Sequence, residues 1–97
     1  MVAMSHDSRE SALALLRSQH DFPGHFEFRV VVRPDARSAV LSAIAAVEGC
    51  AVDRVKERWS RNRNYVSLAV RTELDQAEHV LDVYEVVGRL QGVMTTL

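Results

Sequence analysis

Hydrophobic and polar residues alternate along a segment in the first half of the chain. From His25 to Arg33 every second residue is apolar, and Phe26 and Phe28 are separated by the charged Glu27. The segment from Tyr65 to Thr72 repeats this alternation with smaller aliphatic residues. A period of two is typical of a β-strand that buries one face, so both segments are predicted to be half-buried strands.

Two further segments complete a predicted set of four strands. The segment Ala51–Trp59 is more polar and carries basic residues at alternate positions, which favours an edge strand because Lys and Arg there discourage pairing with other chains. The loop Ser60–Asn64 is predicted to close a hairpin, since Asn tolerates a positive φ. The β-prone segment Gly92–Leu97 is predicted to be the last strand.

Apolar residues at three- and four-residue steps predict three helices. The first runs from Asp7 to His20. The second follows Asp35, a good capping residue, and ends before Gly49, which suits the left-handed position past a helix end. Its apolar positions are Ala36, Val40, Ala43, Ile44 and Val47.

The third helix is predicted to begin at Asp75 and to end near Gly88, which fits a C-terminal cap. Its apolar stripe consists of Ala77, Val80, Leu81, Tyr84 and Val87. His79 is expected to face solvent on this helix, as a neighbour of Glu78 and Asp82.

The order of these elements predicts an α+β fold. After the first helix it is β-α-β-β-α-β, the ferredoxin-like arrangement, with a four-stranded antiparallel sheet and two helices on one of its faces. Residues 1–21 are therefore predicted to be an N-terminal helical extension, and residues 22–97 the ferredoxin-like domain. The other sheet face is expected to remain open.

Composition narrows the possible functions. The 97 residues include 12 Lys and Arg against 13 Asp and Glu, for a net charge of -1, which argues against a protein held to nucleic acid by its overall charge. No apolar run approaches the ~20 residues that cross a bilayer, so no membrane association is expected. The single cysteine, Cys50, cannot form an internal disulfide, which fits a cytoplasmic protein.

The residue types that support catalysis do not form a recognisable set. Cys50 has no visible activating neighbour and is interpreted as a small, partly buried residue. The histidines lack the spacing of a metal site, and no Gly-rich phosphate loop is present. We expect no enzyme activity, cofactor or metal; an enzyme that uses Cys50 or His25 is the last-ranked hypothesis.

The strongest charge feature is the basic stretch from Arg54 to Arg63. Six of its ten residues are basic or aromatic. One interpretation is a solvated edge strand with its loop; the alternative is a nucleic-acid-binding module that uses this hairpin. RNA-binding domains of this fold stack bases on outward aromatic residues of the two central strands, and here Tyr65 is the one aromatic predicted there. The nucleic-acid hypothesis is weaker for that reason.

The segment Phe22–Val30, with the sequence Phe-Pro-Gly-His-Phe-Glu-Phe-Arg-Val, resembles the opening strand of the YbeD-like family of small uncharacterised bacterial proteins. Further similarity lies in Tyr65–Val70 and in the third helix and last strand, at Leu81, Tyr84, Gly88, Val93 and Leu97. The resemblance implies a ferredoxin-like domain similar to ACT regulatory modules. It also implies a regulatory role, which has been linked to lipoate metabolism, and no catalytic residues.

This chain departs from the family pattern in the hairpin. The family tends toward Ser-Ser-x-Gly-x-Tyr; Ser60 is kept, whereas Arg61 replaces the second Ser and Arg63 replaces the Gly. We therefore expect a non-enzymatic regulatory or protein-interaction domain. Its expected partners are a second copy, another protein or a small metabolite. The candidate contact residues are Arg33, Asp35, Arg58, Ser60, Arg61, Arg63 and Tyr65.

Overall fold

The computed structural model describes residues 6–96, and its elements confirm the predicted fold class. They are α1 (His6–Gln19), β1 (Gly24–Val32), a 3-10 turn (Pro34–Ala36), α2 (Arg37–Ala45), β2 (Cys50–Trp59), β3 (Val66–Leu74), α3 (Ala77–Gly88) and β4 (Val93–Thr96). The first five residues of the predicted extension and Leu97 of the predicted last strand lie outside the described residues.

The four strands form one antiparallel sheet in the order β2-β3-β1-β4. The two strongly alternating segments are therefore the central strands, and they pair along their whole length, with Phe28 opposite Val70. The polar strand β2 lies at one edge, as predicted, and the short β4 lies at the other. The register of β2 shifts between Val52 and Arg54, where Asp53 forms a bulge.

Helices α2 and α3 cover one face of the sheet, and the core lies between the two layers. The alternation along β1 and β3 places every second side chain against the helices, where Phe28 and Leu68 are almost fully buried. The other core residues are Val30, Val32, Ala36, Val40, Ile44, Val66, Val70, Leu74, Val80, Val83 and Val87. Val83 was absent from the predicted stripe of α3, whereas Leu81 and Tyr84 are only half-buried.

One buried polar side chain lies among these apolar residues. Thr72 of β3 is fully buried, and its hydroxyl donates a hydrogen bond of 2.8 Å to the backbone oxygen of Phe26 on β1. A buried hydroxyl without a partner costs free energy, so this bond makes Thr72 compatible with the core.

The predicted cap at Asp35 is wrong. Pro34 begins a 3-10 turn that contains Asp35, and Ala36 is the residue that precedes α2, without a side-chain cap. Proline favours the first position of a helical turn because its φ is already fixed and its missing N–H would be unpaired there. The turn therefore begins one residue before the predicted cap, and Asp35 is left exposed within it.

Both predicted ends of α3 also differ. Gln76 rather than Asp75 precedes the helix, and the Asp75 N–H instead donates a hydrogen bond of 3.1 Å to the Gly49 carbonyl. Gly88 is the last helical residue and not a left-handed cap; Arg89 follows it in right-handed conformation. The neighbouring turn holds Asp75 outside the helix, which the local sequence does not encode.

Gly49 has the predicted positive φ, at 78°. The prediction that His79 faces solvent is wrong, because its side chain is only 19% exposed. The predicted proximity to Asp82 is confirmed, since the His79 Nδ1 lies 3.4 Å from that carboxylate. The imidazole packs on the backbone of Gly49 so closely that an added Cβ would lie 2.4 Å from Nε2. Because Gly49 has no Cβ, the His79 ring can pack directly on its backbone.

Helix α1 packs beside α3. Leu13 is buried and Leu16 contacts the core, while Arg17 forms an ion pair of 2.8 Å with Glu78 at the start of α3. The His20 ring then meets Phe26 edge-on, with 4.9 Å between ring centres. Within residues 6–96, no helix has the length and hydropathy to span a bilayer. The division into residues 1–21 and 22–97 stays a prediction.

Candidate functional site

The strand register brings several of the candidate residues to one end of the sheet. Val32 pairs with Val66 on one side and with Val93 on the other, so the residues beside these positions become neighbours. Arg33 and Tyr65 consequently line a common hollow of about 280 Å³, together with Asn64 and Met94. This hollow is called the Tyr65 hollow below.

The Tyr65 hollow carries two of the large apolar side chains that remain exposed. Tyr65 is 41% exposed and Met94 is 53% exposed; the third among the described residues, Leu15, lies away on α1. Met94 lies at a register irregularity between β1 and β4, next to Val93, whose side chain packs on the core. Exposed tyrosine and methionine beside an arginine match the composition of protein interfaces.

A second hollow lies on the other side of Arg33. It measures about 400 Å³ and is called the turn hollow; its lining consists of Arg33, Asp35, Ala36, Ala39 and residues 90–92. The Arg33 N–H donates a hydrogen bond of 2.7 Å to the Gly92 carbonyl, which fixes the two loops together. The Arg33 guanidinium lies 3.7 Å from the Asp35 carboxylate, and both side chains are exposed. Arg33 thus lines both hollows.

The hairpin loop places its candidate residues differently. Ser60 closes the loop: its Oγ accepts a hydrogen bond of 3.0 Å from the Tyr65 N–H, and its own N–H donates to the Tyr65 carbonyl. Arg63 takes the positive φ, at 58°, that was expected at an Asn, and its guanidinium lies over the Trp59 ring. Arg61 is exposed and has no ion pair among the described residues.

Arg58 belongs to the open face of the sheet, not to either hollow at the sheet end. It lines a groove of about 290 Å³ with Arg29, Val31, Lys56, Glu57, Ser67 and Ala69. This is called the Ala69 groove. The basic residues of the nucleic-acid hypothesis are therefore divided, because Lys56 and Arg58 line this face whereas Arg63 lies over Trp59, whose side chain packs on the core of the opposite face.

The seven candidate residues thus do not line one common site. Arg33, Asp35 and Tyr65 belong to the two hollows at the sheet end, and Arg58 belongs to the groove. Ser60 and Arg63 hold the hairpin together, and Arg61 is exposed on its loop. Met94 and Asn64 were missed. The sequence signal for Met94 was its apolar side chain at a predicted strand end, but only the pairing of β4 with β1 brings it to Tyr65.

The titratable groups of the described residues offer little for metal or nucleophilic chemistry. No three His, Cys, Asp or Glu side chains within the described part of the chain lie close enough to hold a metal ion. Cys50 is half-buried, and burial raises the pKa of its thiol, an effect that a hydrogen bond with Thr72 partly offsets. A raised pKa lowers the thiolate fraction, and the thiolate is the nucleophile.

A further hollow of about 410 Å³ lies where α1 ends and α3 begins. Arg17 and Glu78 line it and already pair with each other. The pKa of Glu78 lies below its ordinary value, first because the residue's own backbone N–H bonds its carboxylate and then because Arg17 is near. These contacts join α1 to α3. Because Arg17 and Glu78 pair with each other, their charges are already compensated and offer little to a ligand in this hollow.

The family model described as "Protein of unknown function (DUF493)" matches residues 17–97. The chain belongs to this family. The match confirms the resemblance to the YbeD-like proteins, because DUF493 is the YbeD family. No curated protein matches the chain.

Two solved structures share the fold of this DUF493 protein. The C-terminal domain of the MgtC protein from Mycobacterium tuberculosis is similar with a TM-score of 0.67 and 12% identity, over 80% of this chain and 87% of that one. Protein HP0495 from H. pylori has a TM-score of 0.67 and 16% identity, over 80% of this chain and 85% of that one. At these identities the likeness shows the ferredoxin-like, ACT-like fold alone.

Proposed function

We propose that this DUF493 protein is a non-enzymatic, cytoplasmic regulatory or protein-interaction domain that acts through the sheet end around Arg33. The observation that carries the proposal is the position of Arg33 between two hollows, one of which exposes Tyr65 and Met94. Arginine, tyrosine and methionine are enriched at protein interfaces, because they combine a large apolar surface with a polar or polarisable group.

The two hollows suit different partners. The turn hollow, at about 400 Å³, has the size of a small-ligand pocket, and the Arg33 guanidinium at its edge would pair with a carboxylate or phosphate. The Tyr65 hollow is smaller and exposes apolar side chains, which suits contact with a second copy or another protein. A metabolite bound at Arg33 would touch the loops that also border this contact surface, so binding would couple to association.

The metabolite part of the proposal is tested by thermal shift with amino acids, nucleotides, lipoate and its precursors. A compound that binds the folded state raises the melting temperature by mass action. We expect a shift that Arg33→Ala abolishes and that Arg61→Ala, a matched change on the hairpin, retains. A shift that survives Arg33→Ala would contradict binding at the turn hollow, and so would the absence of any shift.

The association part is tested by sedimentation over a wide concentration range. We expect concentration-dependent association that Met94→Ser weakens, because this substitution removes apolar surface from the Tyr65 hollow. Leu15→Ser is the matched control, since Leu15 is similarly exposed, at 57% against 53% for Met94, but lies on α1. A monomer at every concentration, or equal weakening by both substitutions, would argue against an interface between copies at this end.

A further inference from the structure

The Ala69 groove lies between side chains of β1 and β2 on the open face of the sheet. The register places Ala69 between Arg29 of β1 and Lys56 of β2, and Ser67 between Val31 and Arg58. Neighbouring strands are about 4.8 Å apart, so the outer strands of such a trio are roughly 10 Å apart. The small side chains of β3 therefore form the floor. Arg29 and Val31 of β1 form one wall, and Lys56 and Arg58 of β2 form the other.

Three cations, Arg29, Lys56 and Arg58, line this groove with one carboxylate, Glu57, which already pairs with Arg37 of α2. The groove is therefore basic although the protein has a net charge of -1. Among the described residues, Lys56 and Arg58 have no ion-pair partner, and both are exposed. Arg29 in the opposite wall pairs with Glu27 at 3.0 Å. The wall formed by β2 thus presents two unpaired positive charges, whose natural complement is an acidic group.

The spacing of these charges favours one kind of acidic ligand. Lys56 and Arg58 are two residues apart on one strand, so their attachment points are roughly 6.7 Å apart. An extended polypeptide repeats its same-side side chains at this interval. Carboxylates at alternate positions of an extended segment could therefore meet both cations at once, while the segment rests on the floor at Ala69.

From this geometry we propose that the Ala69 groove binds an extended acidic segment of a partner protein. Carboxylates at alternate residues of that segment pair with Lys56 and Arg58, and the segment lies along β3 across Ser67 and Ala69. This inference rests on the proposed function in one respect: both take the protein to be an interaction domain that binds another protein. It assigns a surface distinct from the two hollows around Arg33.

A nucleic acid fits the same surface less well. Single-stranded nucleic acids gain much of their affinity by stacking bases on aromatic side chains, and none of the residues that line the Ala69 groove is aromatic. Farther along the open face, the register places Arg71 between Glu27 and Arg54, and Glu73 lies two residues beyond Arg71 on β3. The carboxylates of Glu27 and Glu73 would repel a phosphate backbone that continued past the groove. A short acidic peptide segment need not extend that far.

The test is an NMR titration of the full chain at low ionic strength with a short peptide of alternating Glu and Ala. We expect amide shifts confined to the groove, at Arg29, Lys56, Arg58 and Ala69, and no response to a peptide of alternating Lys and Ala. Lys56→Glu should weaken binding about tenfold, because it reverses one charge of the pair. Arg61→Glu, which changes the net charge equally, should alter the affinity by less than about twofold.

Three results would overturn the proposal. They are the absence of saturable shifts in the groove, an equal loss of affinity in Lys56→Glu and Arg61→Glu, and tighter binding of a mixed-sequence single-stranded RNA than of the acidic peptide at the same residues. If Lys56→Glu does not give the wild-type circular dichroism spectrum, Lys56→Gln replaces it. Failure of the function around Arg33 is separable, because Arg33→Ala and Met94→Ser leave the groove residues unchanged.

Discussion

The Arg63 guanidinium lies 4.3 Å from the centre of the Trp59 ring, across the hairpin that joins β2 and β3. The contact comes from an arginine with a φ of 58°, a conformation that favours glycine. The resemblance to the YbeD-like family placed a glycine at this position. In this chain an arginine at this position strains the backbone, but its side chain gains a cation–π contact with Trp59. Such a contact is worth about 0.5–1 kcal/mol at an exposed site.

This exchange predicts an order of stabilities for substitutions of Arg63. Arg63→Ala loses the ring contact and keeps the strained backbone, so it should be the least stable variant. Arg63→Gly also loses the contact but relieves the strain, and should exceed Arg63→Ala by about 1 kcal/mol. Urea unfolding of the wild type, Arg63→Ala and Arg63→Gly measures their free energies of unfolding and therefore the order. Equal stability of the two variants would show that the backbone at this position carries no strain.

Two glycines should respond to alanine in opposite ways. Gly92 has a φ of 84°, and an added Cβ would lie 2.7 Å from the Cβ of Ala36, so Gly92→Ala should destabilise by at least about 1–3 kcal/mol. Gly88 is helical and has open space around it, so Gly88→Ala should stabilise by about 0.5–1 kcal/mol. Thermal unfolding distinguishes the two. A destabilising Gly88→Ala would contradict its helical assignment.

The Arg37–Glu57 ion pair, which joins α2 to the edge strand β2, should make stability depend on pH. The hydrogen bond from Arg37 lowers the pKa of Glu57 below its ordinary value near 4.5. A lowered folded-state pKa contributes stability above the unfolded value, and this contribution is lost as the pH falls through the folded-state pKa. Glu57→Gln should therefore be less stable than the wild type at pH 7, with the difference disappearing in acid.

The control for this pair is Glu48→Gln, an exposed change without an ion pair among the described residues. Its stability should equal that of the wild type at pH 7 and again at pH 3. Added salt should reduce the Glu57 effect, because the pair is partly exposed and screened. If Glu57→Gln and wild type differ equally at both pH values, the ion pair does not form in solution.

Cys50 should react slowly with iodoacetamide at neutral pH, since burial raises the pKa of its thiol. The Thr72 hydroxyl opposes this shift when its proton turns from the Phe26 oxygen to the Cys50 thiolate, so Thr72→Val should raise the pKa of Cys50 further and slow the reaction more. The pH profile of alkylation measures both effects. Thr72→Ser keeps a hydroxyl and should stay close to the wild type. A lower apparent pKa in Thr72→Val would contradict the hydrogen bond.

Residues 22–97 alone should fold, but with reduced stability. Removing α1 exposes the surface that Leu13 and Leu16 cover, and full burial of one such side chain is worth about 1.5–3 kcal/mol. Arg17→Ala in the full chain should cost less than about 1 kcal/mol, because the Arg17–Glu78 pair is exposed. Loss of cooperative unfolding in residues 22–97 would show that α1 is an integral part of the domain.

The pattern of hydrophobic and polar residues predicted secondary structure best where it reflects which side chains are buried. The alternation along β1 and β3 predicted the central strands, because a strand with one buried face needs apolar residues at every second position. It was least informative at helix ends. Asp35 and Asp75 have good capping side chains, yet a proline turn and a backbone bond to Gly49 displaced both from the cap position.

The candidate site residues could likewise be predicted only in part. Tyr65, Arg33 and Arg58 could be selected from the sequence because each is a polar or aromatic residue at the end of a predicted strand. Their grouping could not be predicted, since it depends on which strands pair and in which register. Met94 and Tyr65 line one hollow only because β4 pairs with β1, and Lys56 and Arg29 line one groove only because β3 lies between their strands.

The sequence by itself determined the strands, the helices and the ferredoxin-like order of this protein, because each of these follows from short-range periodicity and turn chemistry. Tertiary structure decided which surfaces exist. It turned a polar edge strand into the wall of a basic groove, and it placed Arg33 between two hollows. The physical reason is that a surface is formed by residues far apart in the chain, whose proximity is set by strand pairing and packing rather than by local preference.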